Sequence, residues 1–307
     1  MRNGPTEYRN AKQFFAPLPP EHTAGGTLQE KFMGASDPAE SLSPPAAAYS
    51  YEHEGDRQFA TTLARGLEVL RCFTPTEPML GNKEISVRTG LPKPTVSRLT
   101  YTLTKLGYLR HNIRLGKYQL GSAVLSIGYP LLASMSVRQI ARPYIKDLAD
   151  YCSGAVSMGV RDRLSMVYVE SCRSGNGIAA LPDIGTSVPI AQAAIGRAYL
   201  AVCTPPEREA LLNQMKVKEP DMLRKYKPQI DKALDDVRAR GFCVSLGELR
   251  REIHAVGVPM RRTIDGEVVA FNCSVPAFML KKNQIEEDIG PRLVQMVRNI
   301  ESALGIH

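Results

Sequence analysis

"TGLPKPTVSRLTYTLTKLGYL", residues 89–109, is the stretch that decides the fold of the N-terminal half. Proline disfavours helical geometry in the residue before it, so the helix in this stretch is predicted to begin with Pro94 at its first position. Four apolar residues then recur at i, i+3, i+7 and i+10, namely Val96, Leu99, Leu103 and Leu106. This spacing predicts an amphipathic helix with one buried face. The other face carries Thr95, Ser97, Arg98 and Tyr101.

The neighbouring residues extend this helix into a motif. An amphipathic helix is predicted over residues 59–73, and its expected buried residues are Leu63, Leu67 and Leu70. A short helix over 82–89 follows, and two short strands at 108–111 and 117–120 come after Gly107, which ends the quoted helix. Helix, short helix, tight turn, helix and β-hairpin together predict a winged helix-turn-helix, a DNA-binding motif.

The positive charge is concentrated in this motif. Residues 58–122 hold ten Lys/Arg and three Asp/Glu, whereas residues 1–57 hold five Lys/Arg and eight Asp/Glu. This distribution favours double-stranded DNA as the partner. Arg98 is expected to read a guanine or, with equal weight, to contact a phosphate, and Thr95, Ser97 and Tyr101 are expected to face the major groove. The predicted phosphate or minor-groove contacts are Lys93, Arg110, Arg114 and Lys117.

Composition divides the chain into four segments. Residues 1–57 hold seven of the 22 prolines and show no sustained periodicity, which predicts a disordered arm. The winged helix-turn-helix covers 58–121, and a linker helix interrupted near Pro130 covers 122–136. Residues 137–307 mix predicted strands (155–160, 165–170, 242–246, 254–260 and 268–275) with helices (137–151, 196–202, 205–214, 228–240 and 284–304). This mixture predicts an α+β domain on a largely antiparallel sheet.

Several classes of protein do not fit the composition. No run of 18 apolar residues is present and the N-terminus lacks the apolar core of a secretory signal, so a cytoplasmic protein is expected. The six cysteines are widely spaced and form no CxxC pair, which favours free thiols. We therefore expect no metal, no cofactor and no catalytic residue.

Several blocks in order resemble one protein family. "TTLARGLEVLRCF", the quoted stretch and "GKYQLG" are similar to the N-terminal domain of IclR-type bacterial transcription regulators. "VPIAQAAIGRAYLA" and "GFCVSLGELRREIHAVGVPMRRTIDGEVVAFNCSV" resemble the effector-binding domain of that family. The resemblance extends over residues 58–305 and implies a DNA-binding dimer or tetramer. It further implies a GAF-like C-terminal domain that binds a small metabolite, and the N-terminal pattern looks most like the subgroup that senses aromatic acids.

The resemblance also implies where the effector binds. The segment 191–196 matches the family's loop whose backbone amides meet the ligand, and Glu248, Cys273 and Val275 match polar pocket positions. Cys273 and Val275 stand where serines are common, so a less polar pocket suited to an organic acid with an aromatic or otherwise partly apolar body is expected. The loop residues assigned to this effector site are Ala191, Gln192, Ala193 and Ala194.

Two other functions compete with that of a regulator. A non-specific architectural DNA-binding protein would also be basic, but it would not need more than 150 residues of C-terminal α+β domain. A thiol-dependent enzyme could use Cys243, His254, Glu248 and Cys273 on neighbouring predicted strands. Adjacent residues of a strand alternate between faces, however, so these side chains need not converge.

Overall fold

The structure is a computed structural model that describes residues 56–175, 183–264 and 266–306. Most of the predicted N-terminal arm, residues 1–57, lies outside these described residues. The N-terminal domain consists of three helices and a two-stranded antiparallel hairpin: α1 (Thr61–Arg71), α2 (Asn82–Thr89), α3 (Lys93–Lys105), β1 (Leu109–Asn112) and β2 (Lys117–Leu120). This order of elements is the predicted winged helix-turn-helix.

The core of the N-terminal domain is small and corrects part of the predicted helix faces. Its buried members include Val69, Ile85 and Val96, with Leu70, Leu99 and Leu103 packed against them at partial exposure. The predicted buried residues Leu63 and Leu67 are instead 64% and 51% exposed, and Leu106 is exposed as well. The spacing predicted an apolar face of α1, but the fully buried core residue of this helix is Val69, which lies on another side.

Prolines were predicted to begin or interrupt three helices, and in the structure each of these helices extends past the predicted start or break. Helix α3 begins at Lys93, with Pro92 as its N-cap, one residue before the predicted start. The linker helix α4 (Ala123–Ser134) is continuous through Pro130. Helix α8 (Pro220–Arg240) begins eight residues before the predicted start and contains Pro228. Both internal prolines are exposed, so water can bind the carbonyl oxygens that lose a helical partner.

The C-terminal domain is built on a six-stranded antiparallel sheet. Its order is β5-β4-β3-β8-β7-β6, and the predicted α+β class is confirmed. The strands are β3 (Ala155–Asp162), β4 (Ser165–Arg173), β5 (Ser187–Pro189), β6 (Cys243–Leu246), β7 (Ile253–Pro259) and β8 (Ala270–Pro276). Strand β5 is short and was not predicted.

Helices cover both faces of this sheet. On one face, α5 (Ser136–Cys152) and α9 (Gly290–Ala303) bury a core that includes Val156, Val256 and Phe271. On the other face, α6 (Ala194–Val202), α7 (Pro205–Lys218) and α8 pack over a second cluster that includes Tyr168 and Ile195. The chain therefore places its two largest apolar clusters on opposite sides of one sheet. Within the described residues, no helix is long and apolar enough to cross a membrane.

Candidate functional site

The outer surface of α3 brings together most of the residues predicted to face DNA bases. Ser97, Arg98 and Tyr101 are exposed and line one shallow depression of about 350 Å³ together with Thr102. Thr95 lies about one helical turn before Arg98, nearer the N-terminus of α3, and is half-buried. The inner face is fixed by buried Val96 and Thr100. An exposed helix face with one guanidinium among hydroxyl groups can donate and accept hydrogen bonds at base edges.

A polar contact between α2 and α3 positions this surface. Asn82 at the start of α2 donates to Ser97 Oγ at 3.0 Å, and its carbonyl oxygen accepts from buried Thr100 Oγ1 at 3.4 Å. Thr100 also donates to the Val96 carbonyl at 2.9 Å. The two helices are therefore joined by side-chain hydrogen bonds as well as by apolar packing, which fixes the angle at which α3 projects.

The predicted phosphate-contacting residues surround α3. Lys93 at its N-terminus and Arg110 and Arg114 in the hairpin are exposed. Lys117 is half-buried and its Nζ lies 3.0 Å from Glu84 Oε1, so a carboxylate already neutralises part of its charge. Glu84 also accepts from the Gly81 amide, and that bond together with Lys117 lowers the pKa of the Glu84 carboxyl. Among the described residues, Lys117 is thus the one predicted DNA contact that lies in an ion pair.

The predicted effector loop crosses the α6 side of the sheet. Ala191, Ala193 and Ala194 are buried, and Gln192 is half-buried. Helix α6 begins at Ala194, and in the described chain its N-cap residue Ala193 provides no side-chain hydrogen bond to the first turn. Amides at a helix N-terminus favour negatively charged groups. The resemblance assigns the ligand to this loop, and an anion there would meet the backbone amides of the first turn of α6; this assignment stays a prediction.

A polar cluster lies beside this loop. Gln192 donates to Tyr226 Oη at 3.0 Å and to the Glu248 carbonyl at 2.5 Å. Ser245 Oγ donates to Glu248 Oε2 at 2.6 Å. Arg197, only 1% exposed, lies 3.3 Å from Glu248 Oε1 and donates to the Ala191 carbonyl at 2.8 Å. The predicted residues Gln192 and Glu248 are thus brought together.

Strand pairing aligns a row of small residues under α6, three of which have polar side chains. The aligned positions are Cys243, Gly257, Asn272, Ser157 and Ser171. Two contacts place this row on the α6 side: Cys243 Sγ donates to the Ala194 carbonyl at 3.4 Å, and a Cβ added to Gly257 would lie 2.2 Å from the same oxygen. Ser274, two residues after Asn272, lies on the same face and accepts from Asn272 Nδ2 at 2.8 Å.

Asn272 holds the most informative atom of this row. The residue is 3% exposed, and its Oδ1 has no hydrogen-bond partner among the described residues. An unpaired buried polar atom is unfavourable unless a bound molecule or water satisfies it. One nitrogen of Arg197, Nη2, is buried without a partner in the same described set. Both groups are therefore suited to hydrogen bonds with a small polar molecule.

Cys273 and Val275, predicted as pocket residues, lie on the opposite face. Cys273 aligns with Val256 and Val156, and all three belong to the core beneath α5 and α9. Val275 is buried in that core as well. The structure therefore does not bring these two side chains to Gln192 and Glu248. The physical reason is the two-residue period of a strand, which sends neighbours of Asn272 and Ser274 to the other side of the sheet.

Seven residues of the two polar groups were missed at the sequence level: Ser157, Ser171, Arg197, Tyr226, Ser245, Asn272 and Ser274. Asn272 and Ser274 were detectable, because two polar residues at i and i+2 in an apolar strand indicate a polar face. Arg197 was visible as the one charged residue in the apolar helix α6. Ser157 and Ser245 gave no signal that distinguishes them from ordinary strand serines.

The thiol arrangement considered for catalysis is not assembled. Cys243 faces α6 whereas Cys273 faces α5, and His254 pairs with Val275 in the register of β7 and β8. Burial raises the pKa of the Cys243 thiol to about 12. A thiol in this state is a poor nucleophile near neutral pH because the thiolate is the reactive form.

Comparisons with known families agree with both domains. The IclR helix-turn-helix domain matches residues 62–112, and the bacterial transcriptional regulator IclR C-terminal domain matches residues 130–302. The chain is 35% identical over 246 residues to the HTH-type transcriptional regulator TsaQ1/TsaQ2 of Comamonas testosteroni. That match covers 79% of this chain and 88% of the relative.

Solved structures show the same architecture. An IclR family transcriptional regulator from Brucella abortus is 47% identical, with a TM-score of 0.72 over 81% of this chain and 94% of that one. An IclR homolog from Microbacterium hydrocarbonoxydans, complexed with 4-hydroxybenzoate, is similar with a TM-score of 0.60. It covers 80% of this chain and 100% of its own, and at 21% identity the likeness concerns the fold alone.

Proposed function

Because this chain belongs to the IclR family of bacterial transcriptional regulators, we propose that it binds promoter DNA in the cytoplasm and that a small organic acid alters this binding. The chain is a regulator and not an enzyme. The observation that carries the proposal is the unpaired Asn272 Oδ1 buried beneath the loop at α6, in a domain joined to a basic winged helix. An architectural DNA-binding protein would have no use for such a group.

DNA is proposed to contact the exposed face of α3. The major groove of B-DNA accepts an α-helix, and Ser97, Arg98 and Tyr101 share the surface that would enter it, with Thr95 beside them. Lys93, Arg110, Arg114 and Lys117 are proposed to contact the phosphates, with the hairpin near the minor groove. Because Lys117 is paired with Glu84, its contribution to DNA affinity should be the smallest of the four.

The effector is proposed to bind between the loop at the start of α6 and the polar row on β3 and β8. Its carboxylate would accept from first-turn amides of α6, and a hydroxyl group would donate to Asn272 Oδ1. Gln192, Glu248 and the loop residues Ala191, Ala193 and Ala194 form the remaining proposed wall. A hydroxylated aromatic acid combines the required polar ends with an apolar body for the Tyr168 and Ile195 cluster. Cys273 and Val275 would support the site only by packing behind the sheet.

A homodimer is proposed as the DNA-binding unit, because a two-fold dimer reads two half-sites. Helix α4 has no buried residue within the described chain, and its exposed side chains include Leu125, Ile127, Tyr129 and Leu131. Leu63 and Leu67 of α1 are exposed as well. Contiguous apolar surface on a soluble protein marks an association site. Leu125→Glu should therefore lower the mass measured by light scattering, whereas Val217→Glu, a control at an exposed valine on α7, should not.

The test of function compares DNA from the region upstream of the gene with random DNA of equal length. Binding is measured at two salt concentrations, with and without 4-hydroxybenzoate and related acids. Selective binding that one acid changes supports a metabolite-responsive regulator. Equal affinity for both DNAs, with steep salt dependence and no response to any acid, indicates only non-specific electrostatic binding and contradicts the proposal.

Neighbouring strand residues provide a matched control for the effector site. Asn272→Ala removes the buried amide and should weaken acid binding by about 5-fold or more, since losing a buried hydrogen bond to a charged or polar ligand costs about 1–3 kcal/mol. Cys273→Ala changes the other face and should leave acid affinity unchanged while lowering the melting temperature. The reverse pattern, with Cys273→Ala affecting affinity and Asn272→Ala not, would return the site to the face predicted from the resemblance.

A further inference from the structure

The turn between β3 and β4 contacts the DNA-binding domain directly. Arg71 Nη2 on α1 lies 3.1 Å from Asp162 Oδ2, and Arg163 Nη1 in the turn lies 3.2 Å from Glu68 Oε1 on α1. Glu68 is buried although it is charged. The two domains belong to the same compact unit of the chain. Two ion pairs therefore join the turn to the first helix of the winged helix-turn-helix. In one pair the turn supplies the carboxylate, and in the other it supplies the guanidinium.

The same turn also contacts the residue that precedes the effector-site loop and the helix that follows the loop. The Ile190 amide donates to the carbonyl of Leu164 at 3.0 Å, one residue before Ala191. Arg161 Nε donates to Tyr199 Oη on α6 at 2.9 Å, and Arg161 Nη1 donates to the Arg163 carbonyl at 3.1 Å. Any shift of the loop or of α6 therefore acts on residues 161–164.

Helix α1 in turn packs on the helix that is proposed to read DNA. A Cβ added to Gly66 would lie 3.9 Å from Leu99 Cδ2 on α3, which shows how closely the two helices approach. Because side chains on α1 and α3 share one core, the winged helix-turn-helix moves as a body when α1 is displaced. One hydrogen bond thus connects the turn to the residue before the effector loop, and only helix α1 lies between the turn and α3.

The conformation of the turn indicates that its side chain matters. Arg163 has a φ of 57°, in the left-handed region where glycine or asparagine is the usual residue. A residue held there against its preference suggests a role for its side chain. The Arg71–Asp162 pair is exposed to nearly half on both sides. Exposed ion pairs add little to stability, so this contact can form and break at small cost.

We propose that the β3–β4 turn, through Arg163–Glu68 and Asp162–Arg71, transmits effector binding at the α6 loop to the orientation of the DNA-binding domain. The proposal rests on the proposed function for its ligand. It assigns to residues 161–164 a regulatory role that is separate from binding either DNA or acid. In the acid-bound state, movement of the loop and of α6 would displace the turn through the hydrogen bonds at Leu164 and Tyr199. The ion pairs to α1 would then rearrange with the turn.

A charge swap tests this role in the full-length protein. Arg71→Asp and Asp162→Arg each place like charges opposite one another, and the double variant restores an opposite pair. The measured quantity is the ratio of affinities for the upstream DNA without and with saturating 4-hydroxybenzoate. Allosteric ratios are commonly about 5–150-fold. We expect each single variant to reduce the wild-type ratio at least about threefold and the double variant to recover most of it.

Two controls separate coupling from binding. Arg224→Asp reverses a charge in an exposed ion pair with Asp221 on α8, away from the turn, and should leave the ratio unchanged. Binding of 4-hydroxybenzoate, followed by thermal shift without DNA, should be equal in all variants. Single variants that bind the acid and keep the full wild-type ratio overturn the proposal.

A second arm needs no acid and keeps the proposal testable if the effector is of another class. Hydrogen exchange of residues 158–166 and 184–194 is followed before and after saturation with a DNA duplex at low salt. Because coupling is reciprocal, DNA should change exchange at these amides at least about twofold in the wild type. The change should disappear in Asp162→Arg and return in the swapped double variant. Unchanged exchange in the wild type overturns the coupling, whereas a DNA effect without any acid binding overturns only the proposed ligand.

Discussion

Replacing Gly257 with alanine should disturb the proposed effector site through one steric contact. The added Cβ would lie 2.2 Å from the Ala194 carbonyl oxygen and 2.5 Å from its carbon, distances that non-bonded atoms do not tolerate. The start of α6 must therefore move by about an ångström, because the obstructing atoms belong to the backbone and have no alternative rotamer. Overpacking of this kind costs about 1–3 kcal/mol. We expect the melting temperature to fall by about 4–8 °C for a cost of about 2 kcal/mol in a domain of this size.

A neighbouring glycine supplies the control for this substitution. A Cβ at Gly159, which also faces α6, would lie 2.9 Å from Ile195 Cδ1, the end of a flexible side chain, and 3.1 Å from the Val167 carbonyl oxygen, so its backbone contact is about 0.9 Å longer than that at Gly257. Gly159→Ala should therefore destabilise the protein less than Gly257→Ala. Calorimetry gives both melting temperatures, and titration calorimetry with the acid identified in the DNA assay gives both affinities. Equal melting temperatures for Gly257→Ala and the wild type, with unchanged acid affinity, would falsify the close packing of the loop on β7.

Two further predictions concern the DNA-binding domain. Arg98→Ala should relax selectivity at one base position by about 1–3 kcal/mol. Lys93→Ala should instead weaken binding to all sequences and reduce the slope of log binding constant against log salt concentration by about one unit. Equal losses on specific and random DNA for Arg98→Ala would contradict its role in base reading. The pKa of Glu84 is lowered by the Gly81 amide and by Lys117, so its stabilising contribution is present above the ordinary glutamate pKa and is lost as pH falls through the folded value. Glu84→Gln should therefore flatten the acid limb of a melting-temperature profile between about pH 5 and pH 3, and an unchanged profile would contradict the pairing.

The sequence was most informative where the position of a side chain on a single helix decides whether it is buried or exposed. Val96 and the exposed residues Ser97, Arg98 and Tyr101 are separated by their position on one helix, and the 3.6-residue period alone assigns their faces. The same period misled for α1, where Leu63 and Leu67 form a regular apolar face that is exposed in the single chain. Periodicity identifies an apolar face, but it does not say whether that face packs against the chain's own core or against another molecule.

The polar cluster at the effector loop depends on contacts that no local pattern contains. Gln192, Arg197, Tyr226 and Glu248 come from a loop, two helices and a turn, and they meet only because α6 and α8 pack on the same side of the sheet. The family resemblance named Gln192 and Glu248, which the structure brings into contact, and their role in effector binding stays a prediction. It gave no information about Arg197, whose burial with one acidic partner becomes evident only from the packing.

The strand positions show most directly how an offset of one residue changes which side chains an alignment places at the predicted site. Aligning β8 so that Cys273 and Val275 occupy the pocket positions differs by one residue from an alignment that uses Asn272 and Ser274. In a helix such an offset rotates a side chain by about 100°, but in a strand it moves every side chain to the other face. The hydrogen bond from Cys243 to the Ala194 carbonyl and the register of β6, β7 and β8 fix which face meets α6. Once that register is known, Asn272 is a polar residue beneath the effector loop and Cys273 is a core residue.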